Sequence, residues 1–263
     1  MLRPRIIPCL LIYKNALVKT IKFKDQKYIG DPLNAVKIFN EKEADELIVL
    51  DIGATIHSME PNFELIEKLA AECRMPLCYG GGVTSVKQVT QLVDMGVEKV
   101  ALSSAAIEKP LIVKELVSAV GSQSIVVVLD LYKKKGIFSE SYELRTHNAS
   151  KSYNEDPLSL IKLFQNSGVG EIVINSIDRD GSMQGYDQNL VSKVKTVAKV
   201  PITFLGGAGS LNHMKELIKN FDIVGAAAGS LFVFKGKYRA VLINYPTYEQ
   251  KIDLFSNKFN NKN

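Results

Sequence analysis

The chain repeats itself at an interval close to half its length, and this repeat limits what it can fold into. Gly30-Asp31-Pro32-Leu33 is echoed by Glu155-Asp156-Pro157-Leu158, with 125 residues between the two aspartates. Pro76 with Gly81-Gly82 is echoed by Pro201 with Gly206-Gly207, again 125 apart. Asp51 and Asp178 lie 127 apart, and Ser104 and Ser230 lie 126 apart. Landmarks held at nearly one spacing mark two copies of one structural unit. Asp31 and Asp156 each precede a proline, the pattern of a helix N-cap with proline at the first helical position.

Within each unit, apolar runs alternate with segments of helical period. Strands are predicted at Ile6–Ile12, Glu46–Ile52, Pro76–Tyr79, Lys99–Leu102, Ser124–Asp130, Glu171–Ile177, Ile202–Leu205 and Ile223–Ala227. Amphipathic stretches fall between them, such as Leu33, Val36, Ile38 and Phe39. Apolar strand runs suit parallel strands covered on both faces. Eight strand–helix units predict an α/β fold, a single (β/α)8 TIM barrel built from two similar half-barrels. Such a barrel takes roughly 250 residues. The 263 residues therefore form one domain over 1–255, followed by a polar tail over 256–263.

Composition removes several function classes. No apolar run reaches the ~18 residues of a membrane span, and the N-terminus lacks a signal-peptide pattern. No membrane association and a cytoplasmic location are expected. The net charge is +5. The one dense basic run, Lys133-Lys134-Lys135 beside Gly136, reads as a solvated loop, and no nucleic acid is expected. Cys9, Cys73 and Cys78 are odd in number and lack metal-ligand grouping. They read as reduced thiols, with no metal site and no cofactor.

In a barrel of this kind the chemistry sits where the strands end. Gly80-Gly81-Gly82 follows the third strand, and Gly206-Gly207-Ala208-Gly209 follows the seventh. Glycine lets the backbone approach a ligand, and the next helix offers free N–H groups. Ser104, Gly229 and Ser230 add donors, which gives two facing phosphate cups; tight turns without a ligand are the alternative. Asp51, Asp130, Asp178 and Asp180 also fall at strand ends. Asp130 and Asp178 are the expected catalytic carboxylates, although Asp178 and Asp180 flank Arg179 and could be held as an ion pair or loop cap. Lys19, Asp51, Asp180 and Gly181 complete the expected substrate-binding set. For Lys19 a solvated loop is the alternative. His57, His147 and His213 show no nucleophile or metal spacing, and His213 reads as structural. Leu11 lies near the end of the first strand, as Asp130 ends the fifth, so one half lacks the carboxylate of the other.

Arg5, Glu46, Lys99 and Glu171 stand at strand starts, at the opposite end. That end normally serves stability. Two cations and two anions form either a salt-bridge plug or a charged ring around an axial opening.

Taken together, these residues resemble the cyclase subunit family of imidazole glycerol phosphate synthase, from histidine biosynthesis. The resemblance covers about residues 2–248. It rests on Arg5-Ile6-Ile7-Pro8-Cys9-Leu10, Gly30-Asp31-Pro32, Glu46-Leu47 with Leu50-Asp51-Ile52, Gly80-Gly81-Gly82, Gly121-Ser122-Gln123, and Ser176-Ile177-Asp178-Arg179-Asp180-Gly181 followed by Gly185-Tyr186-Asp187. It implies a class I glutaminase docked on the N-terminal face. It also implies ammonia crossing the barrel to a bis-phosphorylated ribulosyl substrate, with Arg5, Glu46, Lys99 and Glu171 as the ammonia gate. The family pairs aspartates on strands one and five; here Cys9-Leu10-Leu11 replaces its Cys-Leu-Asp. Gly53 and Ser104 also depart from its common residues. Pro8-Cys9-Leu10-Leu11-Ile12, Leu17-Val18-Lys19-Thr20 and Lys22-Phe23-Lys24 are similar to a divergent branch associated with acetamidino-sugar biosynthesis for surface polysaccharide. That branch implies a sugar amidotransferase as a further partner. Three readings stay open: an ammonia-accepting synthase subunit for such a sugar, a genuine histidine-pathway lyase, and a non-catalytic activator of the glutaminase.

Overall fold

A computed structural model describes residues 3–136, 140–221 and 224–255. Eight parallel strands close into a barrel. They are β1 (Arg5–Tyr13), β2 (Leu47–Asp51), β3 (Leu77–Gly80), β4 (Lys99–Leu102), β5 (Ile125–Lys135), β6 (Glu171–Ser176), β7 (Ile202–Leu205) and β8 (Val224–Ala228). The strands pair in chain order, and β8 returns to β1 with Ile6 opposite Ala226. The helices are α1 (Pro32–Glu41), α2 (Phe63–Glu72), α3 (Val86–Asp94), α4 (Leu111–Val120), α5 (Pro157–Asn166), α6 (Gln188–Lys195), α7 (Leu211–Asn220) and α8 (Tyr248–Phe255). Short helical turns, Ser104–Glu108 and Ser230–Val233, follow β4 and β8. Among the described residues no helix is long and apolar enough to cross a membrane.

The repeat is visible in the caps. Asp31 accepts from the Asn34 N–H at 2.8 Å, and Asp156 accepts from the Ser159 N–H at 3.0 Å. Both helices then begin with proline. Ser85 and Ser210 cap α3 and α7 in the same way.

Strand alternation divides the core. Ile6, Leu10 and Ile12 of β1 face outward and pack with helix residues such as Val36, Phe39, Ile66 and Leu69. Ile7, Cys9 and Leu11 face inward and meet Ile48, Cys78, Ala101, Val126, Val128, Val173 and Leu205. The barrel is therefore filled with side chains, as an eight-stranded barrel must be. Leu11 lies opposite Leu50 of β2, while Asp130 lies opposite Asn175 of β6. Leu11 and Asp130 thus occupy corresponding inward places at the same end.

Two excursions depart from the predicted pattern. Ala16–Ile21 turns back antiparallel to β1 and pairs with Lys24–Gly30. Lys19, for which a solvated loop was the alternative, lies on this added strand and is 5% exposed. β5 runs past Asp130 to Lys135 and pairs with Glu140–Thr146, which pairs with Lys151–Tyr153. The expected loop at Lys133–Lys135 is instead strand. Acidic partners on the next strand hold it there: Lys133 Nζ lies 2.8 Å from Glu140, and Lys134 pairs with Glu143. Boundaries shift slightly, since Ser124 and Ile177 fall in 3-10 turns. Ile223 and the tail 256–263 lie outside the described residues.

Candidate active site

A cavity of about 390 Å3 opens at the C-terminal ends of the strands. Lys19, Asp51, Gly81, Gly82, Ser104, Asp130, Asp180, Gly181, Gly207, Gly229 and Ser230 all line it. Asp178 does not. Its Oδ2 instead accepts from the Lys133 N–H at 2.5 Å. Of the two carboxylates expected to carry proton transfer, only Asp130 faces the cavity.

The first cup lies after β3 and β4, and the second after β7 and β8. Gly82 has φ +71° and Gly207 has φ +105°, conformations that L side chains rarely adopt. A Cβ on Gly82 would lie 2.5 Å from the Met59 carbonyl oxygen, and one on Gly207 would collide with that of Gly185. Close backbone approach therefore requires glycine at both places. In the second cup the Lys19 ammonium sits where a Cβ on Gly229 would be. Ser230 Oγ, which lines this cup, is buried without a hydrogen-bond partner among the described residues. Buried hydroxyls normally find one, so this one suits a ligand with acceptor oxygens.

Asp130 is the titratable group at the centre. Burial pushes its carboxyl up to about 6, with nearby Asp180 adding to the rise and Asn175 opposing it. Asn175 Nδ2 donates to Asp130 Oδ1 at 2.8 Å. A carboxyl that titrates near neutral pH can hold or release a proton at working pH. Asp180 accepts from Thr20 Oγ1 at 2.8 Å and from the Phe23 N–H at 3.2 Å, which ties the added hairpin to the mouth. Asp51 accepts from the N–H groups of Gly53 and Ala54 at 2.8 and 3.1 Å. Burial raises its carboxyl. Leu11, 8% exposed, lines the same cavity and offers no proton. Beside it, burial pushes the Cys9 thiol up to about 12, which keeps it protonated and unreactive.

Sequence reasoning gave no site role to Asn175, Thr20, His147 or Asn148, all of which line the cavity. Alternation could have found Asn175, since Glu171, Val173 and Asn175 share the inward phase of β6. Nothing comparable marked His147.

At the opposite end the four predicted charges close a ring. Arg5 bonds Glu46, and its Nη2 lies 2.7 Å from Glu171 Oε1. Lys99 Nζ lies 2.8 Å from Glu46 and 2.9 Å from Glu171. Glu46 is 2% exposed and Glu171 6%. Thr203 Oγ1 also donates to Glu171. Burial pushes the Glu46 carboxyl up. At Glu171 burial acts the same way but is outweighed by Arg5 and Lys99, which hold the carboxyl below its usual range.

Fold and site together define a two-fold-repeated (β/α)8 barrel whose site opens at its C-terminal mouth. A sequence profile described as Histidine biosynthesis protein matches residues 5–239. The putative imidazole glycerol phosphate synthase subunit HisF of Leptospira borgpetersenii is 55% identical, over 97% of this chain and 100% of that protein. The putative imidazole glycerol phosphate synthase subunit hisF2 of Pseudomonas aeruginosa is 45% identical, over 94% of this chain and 97% of its own. Imidazole glycerol phosphate synthase subunit HisF of Pelodictyon phaeoclathratiforme is 35% identical over 89% and 92%. The chain belongs to the histidine biosynthesis protein family, among its HisF-type barrels.

Proposed function

We propose that this barrel is the ammonia-accepting subunit of a glutamine amidotransferase complex and a poor cyclase. One observation carries the reading. Leu11 and Leu50 stand in the first half where Asp130 and Asn175 stand in the second, in a mouth that keeps both glycine cups. A general acid or base contributes about 10²–10⁴-fold, and leucine cannot serve as either. A class I glutaminase docks on the N-terminal face, and the ring of Arg5, Glu46, Lys99 and Glu171 gates ammonia. The cups bind a phosphorylated small molecule, with Lys19 and Ser230 holding one phosphate and Ser104 the other.

The ammonia serves a sugar amidotransferase that makes the acetamidino group of a surface-glycan sugar in the cytoplasm. The strand-one motif supports this branch. So does the closer identity to relatives whose names carry the word putative, 45 to 55%, than to a relative named without it, 35%. A second reading, a histidine-pathway lyase, is favoured by the near-neutral carboxyl of Asp130. A non-catalytic activator of the glutaminase is the third reading, supported by the lost strand-one carboxylate.

Two assays separate them. With ammonium and the bis-phosphorylated ribulosyl substrate, the purified barrel turns over at least ~100-fold more slowly than a histidine-pathway cyclase, the lower end of an acid–base contribution. Equal rates overturn the proposal. With glutaminase and sugar amidotransferase present, glutamate release tracks amidinated sugar, and Lys99→Ala raises the ratio of glutamate to product.

A further inference from the structure

The two cups are alike in backbone and unlike in charge. The second holds the Lys19 ammonium against Gly229. Among the described residues no lysine or arginine lines the first. Around the whole cavity, Lys19 and His147 alone of those residues carry basic side-chain nitrogens, against five carboxyls: Asp51, Glu60, Glu108, Asp130 and Asp180. An anion in the first cup therefore has one side chain able to meet it with positive charge.

The chain holds His147 there at a conformational cost. His147, Asn148 and Ala149 all adopt positive φ, 52, 53 and 64°. Residues other than glycine are uncommon in that region, and such strain persists where the surroundings impose it. Here the surroundings reach across the mouth. Asn148 Nδ2 donates to the Ile52 carbonyl at 2.9 Å, and Ser150 Oγ donates to the His147 carbonyl at 2.7 Å. Ile52 follows Asp51, whose backbone abuts Gly81 of the first cup. Lys151 and Tyr153, beyond the turn, bond Glu108 at 2.6 and 3.1 Å. Glu108 ends the helical turn that Ser104 begins. A hairpin of the second half thus delivers an imidazole to the cup of the first. The Thr146 hydroxyl lies 2.9 Å from Nδ1, and Nε2 has no hydrogen-bond partner among the described residues.

We propose that His147 is the cation of the first cup, the counterpart of Lys19 in the second, so that this cup binds a phosphate-type oxyanion with imidazolium and releases it as the ring loses its proton. As residue types, histidine can change charge near neutral pH and lysine does not, so the two cups differ in the kind of cation they offer. The titratable and charged groups on the segments that touch the turn are Glu108, Lys151, Tyr153 and Asp51, with Arg145 two residues before it engaged by Glu143 and stacked on Tyr132. Glu108 is already engaged by Lys151 and held low chiefly by that bond, so it opposes the imidazolium only in part.

The inference rests on the glycine loops being anion cups, and the test keeps the two apart. Sulfate is the probe, because its charge is constant across the histidine range. It is titrated calorimetrically into Lys19→Met, which leaves His147 as the cationic side chain of the cavity. Affinity falls about tenfold between about pH 6 and about pH 8, the size of one charge-assisted hydrogen bond. His147→Ala in that background loses both the affinity and its pH dependence, and His147→Arg keeps the affinity at the higher pH. Melting curves check that each variant is folded. Sulfate binding that is unchanged in His147→Ala overturns the role of His147 and leaves the cups standing. Sulfate absent from both cups of the unaltered protein overturns the cups themselves and this inference with them.

Discussion

In the second half-barrel Asp130 and Asn175 meet side by side, carboxyl oxygen and amide nitrogen 2.8 Å apart. In the first half the corresponding places hold Leu11 and Leu50. Around them the halves remain alike: a glycine cup, a serine-led helical turn, and an Asp-Pro cap at the entry to the first helix of each half. The difference shows which parts of a repeated fold are free to change. The cups are made by backbone, and a Cβ at Gly82 or Gly207 meets a carbonyl oxygen. The strand tips are made by side chains, and Leu11 takes the inward place by packing with apolar neighbours in the barrel interior. Chemistry at a strand tip can thus be lost with no movement of the scaffold.

The largest expected effect lies at the other end, where Glu46 and Glu171 are counterparts 125 residues apart. Each takes Arg5 and Lys99, but Glu171 also accepts from Thr203. Removing one partner of a buried ion pair destabilises by about 3–5 kcal/mol. Glu171→Gln is expected in that range, and Glu46→Gln below it, because burial already pushes the Glu46 carboxyl toward its neutral form. Urea unfolding of the two variants measures the gap. Equal losses would mean that the ring treats the halves alike.

Next comes the charge that the second half keeps. The Asp130 carboxyl titrates at about 6 in the folded chain, against a reference of 3.8. The folded state therefore binds this proton more tightly than the unfolded chain does. Stability from Asp130 is fully present below about pH 4 and is lost as pH rises toward about 6. The difference corresponds to about 3 kcal/mol. Asp130→Asn is expected to stabilise the protein by up to that amount at about pH 8, with the gain vanishing below about pH 4. Leu11→Ala is expected to lose stability equally at both pH values, because no proton is involved. Thermal melts across this range compare them.

The third test rebuilds the missing half. Leu11→Asp returns a carboxylate to the place matching Asp130 and is expected to raise ammonium-dependent cyclisation about 100-fold, the lower end of a general acid–base contribution. An unchanged rate would show that the first half has lost more than one carboxylate, with Leu50, Gly53 and Ser104 the next positions to restore.

The sequence made the repeat legible because its markers are backbone devices. Asp-Pro caps and glycine runs hold their spacing where side-chain chemistry drifts. The ring was legible because charges at the starts of apolar strands are costly to bury unless they meet one another, and here two of each sign do. The added strands were not. Lys133-Lys134-Lys135 is solvated by composition, and only the partners Glu140 and Glu143, supplied across the hairpin, show why it is sheet. Asp178 was misplaced for a related reason. Strand position fixes how high a carboxylate sits, but not its direction, and this one turns toward the Lys133 N–H. The place of His147 at the mouth was not legible because its turn uses left-handed residues other than glycine, which no glycine announces.

The smallest expected effect asks whether the halves still behave as equal units away from the mouth. Asp31 and Asp156 make the same cap: a side-chain oxygen accepts the N–H three residues on, at 2.8 and 3.0 Å, with proline next. Asp156 makes one bond more, from Ser159 Oγ at 2.8 Å. An N-cap aspartate replaced by alanine costs about 1 kcal/mol. Both Asp31→Ala and Asp156→Ala are expected to lose about that much. Asp156→Ala should lose slightly more, and its loss should shrink on acidification, because hydrogen bonds from Ser159 outweigh its slight burial and hold the carboxyl below its usual range. A carboxyl with a depressed folded value contributes stability above its unfolded value and loses it as pH falls through the folded one. Urea midpoints at about pH 7 and about pH 3 read both variants. Losses that match within a few tenths of a kcal/mol at neutral pH would confine the divergence of the halves to the mouth. A loss in one half alone would show that the asymmetry reaches the helices as well.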